Sequence, residues 1–394
     1  MADAAPAIPG RRDWSWRSRA LRGLLYQTAA VALLALLLWF LAGNTVENMR
    51  VRGIQSGFGF LSQPAGFDIG ESVFAFDSSH SYGQAFLVGL TNTVRVAAVG
   101  ILFTTLLGTL IGIGRLSRNF LVSRICGAYV ELFRNVPVLL QLLMWYFTLT
   151  GLLPSVANAW RPIEGVFLSQ SGLQFPIPVW GAGQLYAAIG FFLGCAAAWL
   201  YRRRAIRHFE NTGKARPLFW PVTAMVVLSP FLGWAIGGAP TAMDVPEMGP
   251  FNVSGGGALT PEYLALLIGL TLYTSAFVAE IVRGGVLAVP SGQTEAAGAL
   301  GLTRARTMRL VLLPQALRVI IPPLTSQYLN ITKNSSLAVA VGYPDLVSIS
   351  TTTLNQTGRA VECIAIIMAV YLTLSLLTAA LMNWYNSKAT IKER

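Results

Sequence analysis

Eight long apolar segments dominate this sequence, and each has a length that can cross a lipid bilayer as a helix. Within hydrocarbon, every backbone N–H and C=O group must be satisfied inside the protein, so an apolar span of this length has to be helical. The chain is therefore predicted to be an all-α, polytopic integral membrane protein with about eight transmembrane helices. The segments extend over about residues 24–41, 84–113, 127–152, 185–201, 218–237, 263–282, 319–341 and 361–384.

Charged residues make up only 12% of the chain, whereas roughly 25% is usual in soluble domains. The net charge of +12 would suit a nucleic-acid partner, but the basic residues gather at the ends of the apolar segments. Arg202, Arg203 and Arg204 follow the fourth segment, for example, while residues 238–260 contain no Lys or Arg. This asymmetry is typical of positively charged cytoplasmic loops. It predicts that both termini are cytoplasmic and that nucleic acid is not a partner.

The first apolar segment follows a basic stretch that includes Arg11, Arg12 and Arg17. A cleaved signal peptide has a shorter apolar core, usually about 7–15 residues. Because this leader is long and its apolar run is longer, the first segment is predicted to remain as an anchor. The C-terminal tail, which contains Lys392 and Arg394, is predicted to lie on the same side as the leader.

Residues suited to catalysis or metal binding are sparse. The three cysteines lie in or beside apolar segments without a CxxC spacing, and the two histidines, His80 and His208, are far apart in the sequence. The sequence also lacks a glycine-rich phosphate loop followed by Lys-Ser or Lys-Thr, so the chain has no ATPase site of its own. We therefore predict that this chain has no catalytic residue and holds no metal or cofactor.

The loop between the sixth and seventh segments, residues 286–316, has the pattern of two short helices. Ser291 is a candidate N-cap for the first helix, and Gly301 is suited to end it in a left-handed conformation. Thr303 is a candidate N-cap for the second helix, and Pro314 stands where that helix meets the seventh segment. Physical chemistry alone leaves two interpretations open: an ordinary amphipathic connector, or a docking element for another protein.

Six residues of this loop stand at a fixed spacing: Glu295, Ala296, Ala297, Gly301, Leu313 and Pro314. The spacing resembles the signature loop of importer permeases of the ATP-binding-cassette (ABC) type. Residues 129–147, 273–297 and 333–337 are similar to segments of the polar amino acid branch of that family. A long insert in the middle of the chain favours the general L-amino acid permeases within this branch.

The resemblance implies a type I importer fold and a permease subunit for L-amino acids of polar or broad range. The implied partners are a cytoplasmic ATPase dimer that binds ATP, a second permease subunit (a paralogue) and a periplasmic amino acid-binding protein. The implied location is the lipid bilayer of the bacterial inner membrane. ATP-driven closure of the ATPases would pull on residues 295–314, and the attached helices would rock as rigid bodies.

The resemblance also implies a division of the chain into four parts. Residues 1–83 would hold the leader, the first anchor helix and a periplasmic loop. Residues 84–150 and 261–394 would form the two parts of the permease core, and the second part would carry the coupling loop. Residues 151–260 would be an insert with two extra transmembrane helices.

Polar side chains inside membrane spans are costly and are functional candidates by default. Arg95 lies about eleven residues into the second segment, near the predicted midplane. It could bind a substrate carboxylate, pair with an acid such as Glu131 or Glu362, or snorkel towards the membrane surface. Glu362, at the start of the eighth segment, could instead attract a substrate ammonium group. Gln141 could hydrogen-bond a polar substrate or a neighbouring helix. We therefore name Arg95, Gln141 and Glu362 as the candidate substrate path.

Two further pairs of charges lie near the ends of spans. Glu131 and Arg134 are three residues apart, as are Glu280 and Arg283, so each pair can meet on one helix face. Because both pairs lie near the predicted cytoplasmic side, we predict a structural or gating role for them.

Two other classes of function are possible for a polytopic chain. A secondary amino acid transporter driven by an ion gradient would favour midplane acids, broken helices and an inverted repeat. The sequence shows no convincing repeat, and its acids lie near the ends of the spans. An integral membrane enzyme would need converging His, Asp, Glu or Cys residues, and the histidines here are isolated.

Overall fold

The computed structural model describes residues 19–51, 53, 56–214, 216–249 and 253–389. The basic residues of the leader (Arg11, Arg12 and Arg17) and of the tail (Lys392 and Arg394), which guided the predicted orientation of the termini, lie outside these ranges. Helices account for most of the described chain, as the apolar segments predict.

The α-helices of the described residues are α1 Arg19–Val51, α2 Tyr82–Arg115, α3 Phe120–Asn135, α4 Val138–Gly151, α5 Ala182–Thr212, α6 Phe219–Ile236, α7 Pro261–Leu287, α8 Ser291–Ala299, α9 Arg304–Thr307, α10 Leu313–Asn334, α11 Leu346–Thr357 and α12 Ala360–Ala389. A π-helical turn, Met308–Leu312, joins α9 to α10. A 3-10 helix, Ser335–Val341, follows α10.

Seven helices of the described chain are long and apolar enough to cross a membrane. The third predicted span is not among them, because α3 and α4 meet at a bend of 104°. The prediction of one continuous helix over residues 127–152 was therefore wrong, although the bent pair counted as one span brings the number to eight. The break falls at Val136, which is extended with φ −96° and ψ 129°. Val136 precedes Pro137, and a residue before proline is biased away from the helical conformation.

Two further boundaries differ from the predictions. Helix α5 continues beyond residue 201 to Thr212, so the arginines at 202–204 lie on the helix rather than in a loop. Arginine favours helix, and the helix ends only where Gly213 takes a left-handed φ of 70°. Helix α9 runs through the π-helical turn into α10, so the second loop helix is continuous with the seventh span.

The core of the described chain lies where α2 packs along α7. The two helices approach closely because α2 presents glycine: a Cβ atom at Gly108 would lie 2.6 Å from the Cβ atom of Val278. The contact continues into a cluster of buried apolar side chains from α2, α4, α7 and the segment after α10. Its buried members are Val96, Leu142, Tyr263, Leu266, Leu270, Ala338, Val341 and Tyr343.

The region between α4 and α7 combines a helical hairpin with short strands. Helices α5 and α6 pack against each other. The strands of the described residues are β1 Phe167–Ser169, β2 Gly172–Phe175, β3 Ile177–Pro178, β4 Met243–Asp244, β5 Glu247–Met248, β6 Val253–Ser254 and β7 Gly257–Leu259. All pairings are antiparallel, in the order β1-β2-β7, β3-β4 and β5-β6. Because β7 leads directly into α7, this sheet is joined to the start of a core helix; the sequence did not predict these strands.

Candidate functional site

The loop between α7 and α10 is built around a glycine turn. Gly301 follows α8 with a φ of 72°, so the predicted left-handed conformation is confirmed. The Leu302 N–H donates to the carbonyl oxygen of Ala297 at 3.1 Å, and the Gly301 N–H donates to that of Gly298 at 2.9 Å. These two bonds form a Schellman motif, which satisfies carbonyl groups at the end of a helix. The turn therefore holds α8 at a fixed angle to α9.

The predicted caps of this loop are only partly confirmed. Pro290, not Ser291, occupies the N-cap position of α8, and Ser291 is the first helical residue. Thr303 does precede α9 as predicted, but its side chain makes no capping hydrogen bond. The backbone supplies the contact instead, because the Thr307 N–H donates to the Thr303 carbonyl oxygen at 2.8 Å.

The outer surface of the loop is exposed, and its inner surface is attached to the membrane helix. The side chain of Leu300 is 81% exposed, and Glu295 and Ala296 are also exposed, whereas Ala297 is buried. Gln315 of α10 donates through Nε2 to Gln293 Oε1 of α8 at 3.2 Å. Helix α8 is therefore joined to α10 by this contact and, through the Gly301 turn, by α9, which continues into α10. Leu313 and Pro314 lie in the first turn of α10.

Next to this loop, Glu280 joins the ends of two core helices. Arg283 Nη2 donates to Glu280 Oε1 at 2.6 Å, so the predicted ion pair within α7 is confirmed. Arg115, the last residue of α2, donates to Glu280 Oε2. The sequence analysis missed Arg115, which links α2 to α7 beside the loop.

The second predicted pair does not form. Within the described residues no ion pair joins Glu131 and Arg134. The guanidinium of Arg134 lies 5.2 Å from the ring centroid of Phe277 on α7 instead. A cation over an aromatic face is attractive, so α3 is held to α7 by this contact rather than by a local ion pair.

At the opposite end of α7, Arg95 of α2 pairs with an acid that the sequence analysis did not consider. Arg95 Nη1 donates to Glu71 Oε1 at 2.6 Å, and the hydroxyl of Thr260 donates to Glu71 Oε2. The naming of Glu131 or Glu362 as the paired acid was therefore wrong. Arg95 Cζ also lies 4.3 Å from the ring centroid of Tyr263. Because Thr260 is the N-cap of α7 and Tyr263 lies in its first turn, Arg95 lies level with the start of that helix rather than midway along it.

Asn92, one helical turn before Arg95, ties the same region together. Asn92 Nδ2 donates to the carbonyl oxygens of Glu71 at 2.8 Å and Pro344 at 2.9 Å. The neighbouring Thr93 accepts through Oγ1 from the Leu346 N–H at 3.1 Å. These bonds join α2 to the loop before it and to the start of α11.

Glu71 is nearly buried but borders an open cleft. Its exposed fraction is 7%, while the Arg95 side chain is 27% exposed. Burial raises the pKa of Glu71, and the hydrogen bond from Thr260 and the charge of Arg95 oppose that rise. The cleft has a volume of about 420 Å³, and Glu71, Thr260 and Glu262 are among the residues that line it. The junction therefore places the acidic member of the ion pair, Glu71, at the wall of a polar cleft.

Gln141 and Glu362, the other two predicted path residues, hold backbone groups. Gln141 Nε2 donates to the carbonyl oxygens of Phe133 and Val136, each at 2.9 Å, across the bend between α3 and α4. Glu362 is 5% exposed, and its Oε1 accepts from the Gly57 N–H at 2.5 Å. Neither residue is brought to Arg95 by a contact among the described residues.

Glu71, Thr260 and Asn92 form this junction, and sequence reasoning missed all three. Glu71 lies in a polar loop, where an acid is usually solvated, and Thr260 reads as an N-cap. The available signal was Arg95 itself, since a charge inside a span needs a partner and the loop before α2 supplies acids. Only the folded path of that loop brings Glu71 to it.

Three features define the class of protein. They are the membrane-length helices, the charged junction at the start of α7 and the exposed loop after the end of α7. This is a multi-pass membrane protein in which an exposed loop between two spans is bonded to a membrane helix. The chain belongs to the family of binding-protein-dependent transport system inner membrane components, whose family model matches residues 104–391. The six loop residues lie inside the matched range, whereas Glu71 and Arg95 lie before it.

Several relatives are permeases of this kind. The chain is 45% identical to the general L-amino acid transport system permease protein AapQ of Rhizobium johnstonii, over 97% of this chain and 96% of AapQ. It is 39% identical to the glutamate/glutamine/aspartate/asparagine transport system permease protein BztB of Rhodobacter capsulatus, over 94% and 96% of the two chains. It is 25% identical to the glutamate/aspartate import permease protein GltJ of Escherichia coli, over 77% and 86%. The chain is thus a permease component of an ABC transport system.

Proposed function

We propose that this permease carries L-amino acids from the periplasm to the cytoplasm across the bacterial inner membrane. It would act with a cytoplasmic ATPase dimer, which binds ATP, with a second permease subunit and with a periplasmic amino acid-binding protein. The similarity to AapQ over nearly the whole chain supports an amino acid as cargo. Membership of the binding-protein-dependent family supports the periplasmic partner.

The observation that carries the proposal is the loop around Gly301. Its outer surface, with Leu300 and Glu295, is free of contacts that would bury it within the described chain. Its inner surface is attached to α10 through Gln315 and through continuous helix. An ATPase that grips α8 would therefore move α10 directly. No such attachment would be needed in an ordinary connector between two spans.

The ion pairs of Glu280 suggest how this motion spreads. Arg115 and Arg283 both bind Glu280, so the ends of α2 and α7 are held together. Helices that are locked in this way move as one body, which is the rigid-body class of conformational change. Alternating access would then result from rocking of this body against the second permease subunit.

We propose that the exposed apolar surfaces of α1 and α12 contact lipid and the second permease subunit. None of the apolar window of α1 is buried within the described chain, and the same holds for α12. The insert at residues 151–260 is proposed as an addition to the permease core, because α5 packs mainly against α6.

Arg95 is the proposed contact for the substrate carboxylate. Its guanidinium is a planar donor that suits a carboxylate, and every α-amino acid carries one. Arg95 does not line the cleft itself, but it is bonded to Glu71, which does, whereas Gln141 and Glu362 are engaged with backbone groups. We therefore keep Gln141 and Glu362 as weaker candidates for the path.

Site-specific cross-linking tests the coupling proposal directly. A photoreactive residue at position 300 should cross-link to an ABC ATPase in bacterial membranes, because Leu300 projects outward from the loop. The matched control is position 213, another left-handed glycine at an exposed turn. Mass spectrometry identifies the cross-linked protein. Failure to capture an ATPase from position 300, or equal capture from both positions, would contradict the proposal.

A further inference from the structure

The carboxylate of Glu71 occupies the guanidinium edge that we have proposed for the α-carboxylate of the substrate. Glu71 Oε1 accepts from Arg95 Nη1 at 2.6 Å, and Glu71 Oε2 accepts from Thr260. The ring of Tyr263 covers one face of the same guanidinium, 4.3 Å from Cζ. An arriving carboxylate therefore has to compete with Glu71 for the donors of Arg95.

The loop that carries Glu71 is fixed in place by its own packing. Phe60 and Ala65 are buried in a cluster with Tyr82 of α2 and Ile349 of α11. The carbonyl oxygen of Glu71 is held by Asn92 Nδ2 at 2.8 Å. Because the backbone is anchored at the residue itself, separation of Glu71 from Arg95 requires rotation of its side chain rather than movement of the loop.

The cleft gives a small molecule access to this carboxylate. Its volume of about 420 Å³ falls in the range of small-molecule sites, roughly 300–1,000 Å³. Three acids line it, Asp68, Glu71 and Glu262, together with Thr260 and with Ser348 and Thr352 of α11. An amino acid in the cleft would thus meet Glu71 directly, and through it Arg95.

A displaced Glu71 carboxylate needs a new cation, because an unpaired charge in a buried place is costly. The α-ammonium group of an amino acid is such a cation, and it lies next to the α-carboxylate that takes over Arg95. An amino acid therefore satisfies both members of the former ion pair. A carboxylic acid without the amino group satisfies Arg95 but leaves Glu71 without a partner.

We infer that Glu71 is a specificity-determining residue, a tethered counter-ion that yields Arg95 to the α-carboxylate and binds the α-ammonium group. The inference rests on the proposed import of amino acids through Arg95. It assigns to this cleft a preference for zwitterions over simple carboxylic acids. The preference is independent of the side chain of the substrate, as a broad-range permease requires.

Glu71→Gln tests the inference on the purified, assembled transport complex without its periplasmic binding protein. Equilibrium binding is measured for L-glutamine and for glutaramate, its analogue without the amino group. The wild-type complex should prefer L-glutamine by about tenfold or more, the effect of one charge-assisted contact. In Glu71→Gln this ratio should fall towards one, because glutaramate no longer competes with a carboxylate and L-glutamine loses its ammonium partner.

Glu262→Gln is the matched control, since it removes a carboxylate from the same cleft without touching Arg95; its ratio should stay at the wild-type value. A wild-type ratio in Glu71→Gln would overturn the role of Glu71 while leaving amino acid import intact. No binding of L-glutamine by the wild-type complex would instead overturn the proposed substrate contact at Arg95, and the inference with it. Should Glu71→Gln fail to assemble, Glu71→Asp keeps the charge on a shorter side chain. Its ratio should be intermediate, and an unchanged ratio would overturn the inference.

Discussion

Gln141 Nε2 donates to the carbonyl oxygen of Phe133 at 2.9 Å, across the bend that separates α3 from α4. Its second bond, to the Val136 carbonyl oxygen, also measures 2.9 Å. The last carbonyl groups of any helix lack partners within that helix. Gln141 donates to two such carbonyl groups at the end of α3. Its own side chain is buried, with 3% of the residue's surface exposed. A side chain proposed for the substrate path thus stabilises the shape of a broken span.

Gln141→Leu should therefore act on stability. Two hydrogen bonds are lost and two part-buried carbonyl groups are left without this donor, which costs about 2 kcal/mol. The measurement is thermal unfolding of the assembled complex in detergent. Thr148→Val, on the same helix, removes an exposed hydroxyl and should change stability by less than about 0.5 kcal/mol. Lost amino acid uptake at unchanged unfolding temperature would assign Gln141 to the substrate instead.

Gly301→Asp should abolish coupling without harming membrane insertion. A residue with a Cβ atom at a φ of 72° costs about 1–2 kcal/mol locally, and nothing in the described chain lies within 4 Å of that Cβ. The larger effect falls on the partner, which would meet a charge at the docking turn. Gly213→Asp carries the same backbone strain at a φ of 70° and is the control. ATP-driven uptake should be lost only at position 301, and equal activity of the two variants would refute the role of this turn.

Asp345 should make the stability of the protein depend on pH. It caps α11 by accepting from the Ser348 N–H at 2.8 Å, and burial raises its pKa to about 6. An acid whose pKa is higher in the folded state binds more protons there, so its contribution to stability is full below about pH 4 and is lost as the pH rises through about 6. The expected loss is on the order of 2–3 kcal/mol.

Asp345→Asn should flatten this dependence, because the amide keeps the capping oxygen and cannot ionise. The unfolding temperature of this variant at neutral pH should equal or exceed that of the wild type. Asp345→Ala, which lacks the cap, should unfold earlier at every pH, by about 1 kcal/mol of stability. If Asp345→Asn followed pH as the wild type does, Asp345 would not be the responsible group.

The hairpin of α5 and α6 predicts opposite labelling of its two ends. Helix α6 has 18 residues, about 27 Å at the usual helical rise, so Asp244 beyond it lies far from Glu210 near the end of α5. In a cysteine-free background, an impermeant maleimide should label Asp244→Cys from the periplasm and Glu210→Cys only after permeabilisation. Labelling of Glu210→Cys in intact cells would show that the two extra helices are inserted the other way.

The features of the site that depend only on local sequence could be predicted. Gly301 takes a left-handed conformation because glycine alone does so without steric cost. This conformation could be predicted from the local sequence, without knowledge of the fold. Helical spacing also allowed the pairing of Glu280 with Arg283, but the same spacing did not make Glu131 and Arg134 pair, so spacing alone was not sufficient. The bend at Val136 could also have been predicted from Pro137, but uniform hydropathy hid it.

The junction around Arg95 could not be predicted in this way. Glu71 precedes Arg95 by 24 residues and reaches it only because the intervening loop folds back onto α2 and α11. Thr260 reaches the same carboxylate from 189 residues further along the chain. Such contacts depend on tertiary packing, about which neither spacing nor hydropathy carries information. The contact between Arg115 and Glu280 could not be predicted for the same reason, because it depends on the close approach of α2 and α7.

The most direct test of the central claim, that this permease imports amino acids by ATP-driven force on its loop, is the energy source of uptake. The purified complex and its binding protein are reconstituted in proteoliposomes with ATP enclosed, and uptake of labelled L-amino acids is followed. Uptake should require the enclosed ATP, should persist when proton and sodium gradients are collapsed, and should be lost in Gly301→Asp. Uptake that proceeds without ATP and stops when an ion gradient is collapsed would contradict the account and would identify a secondary transporter.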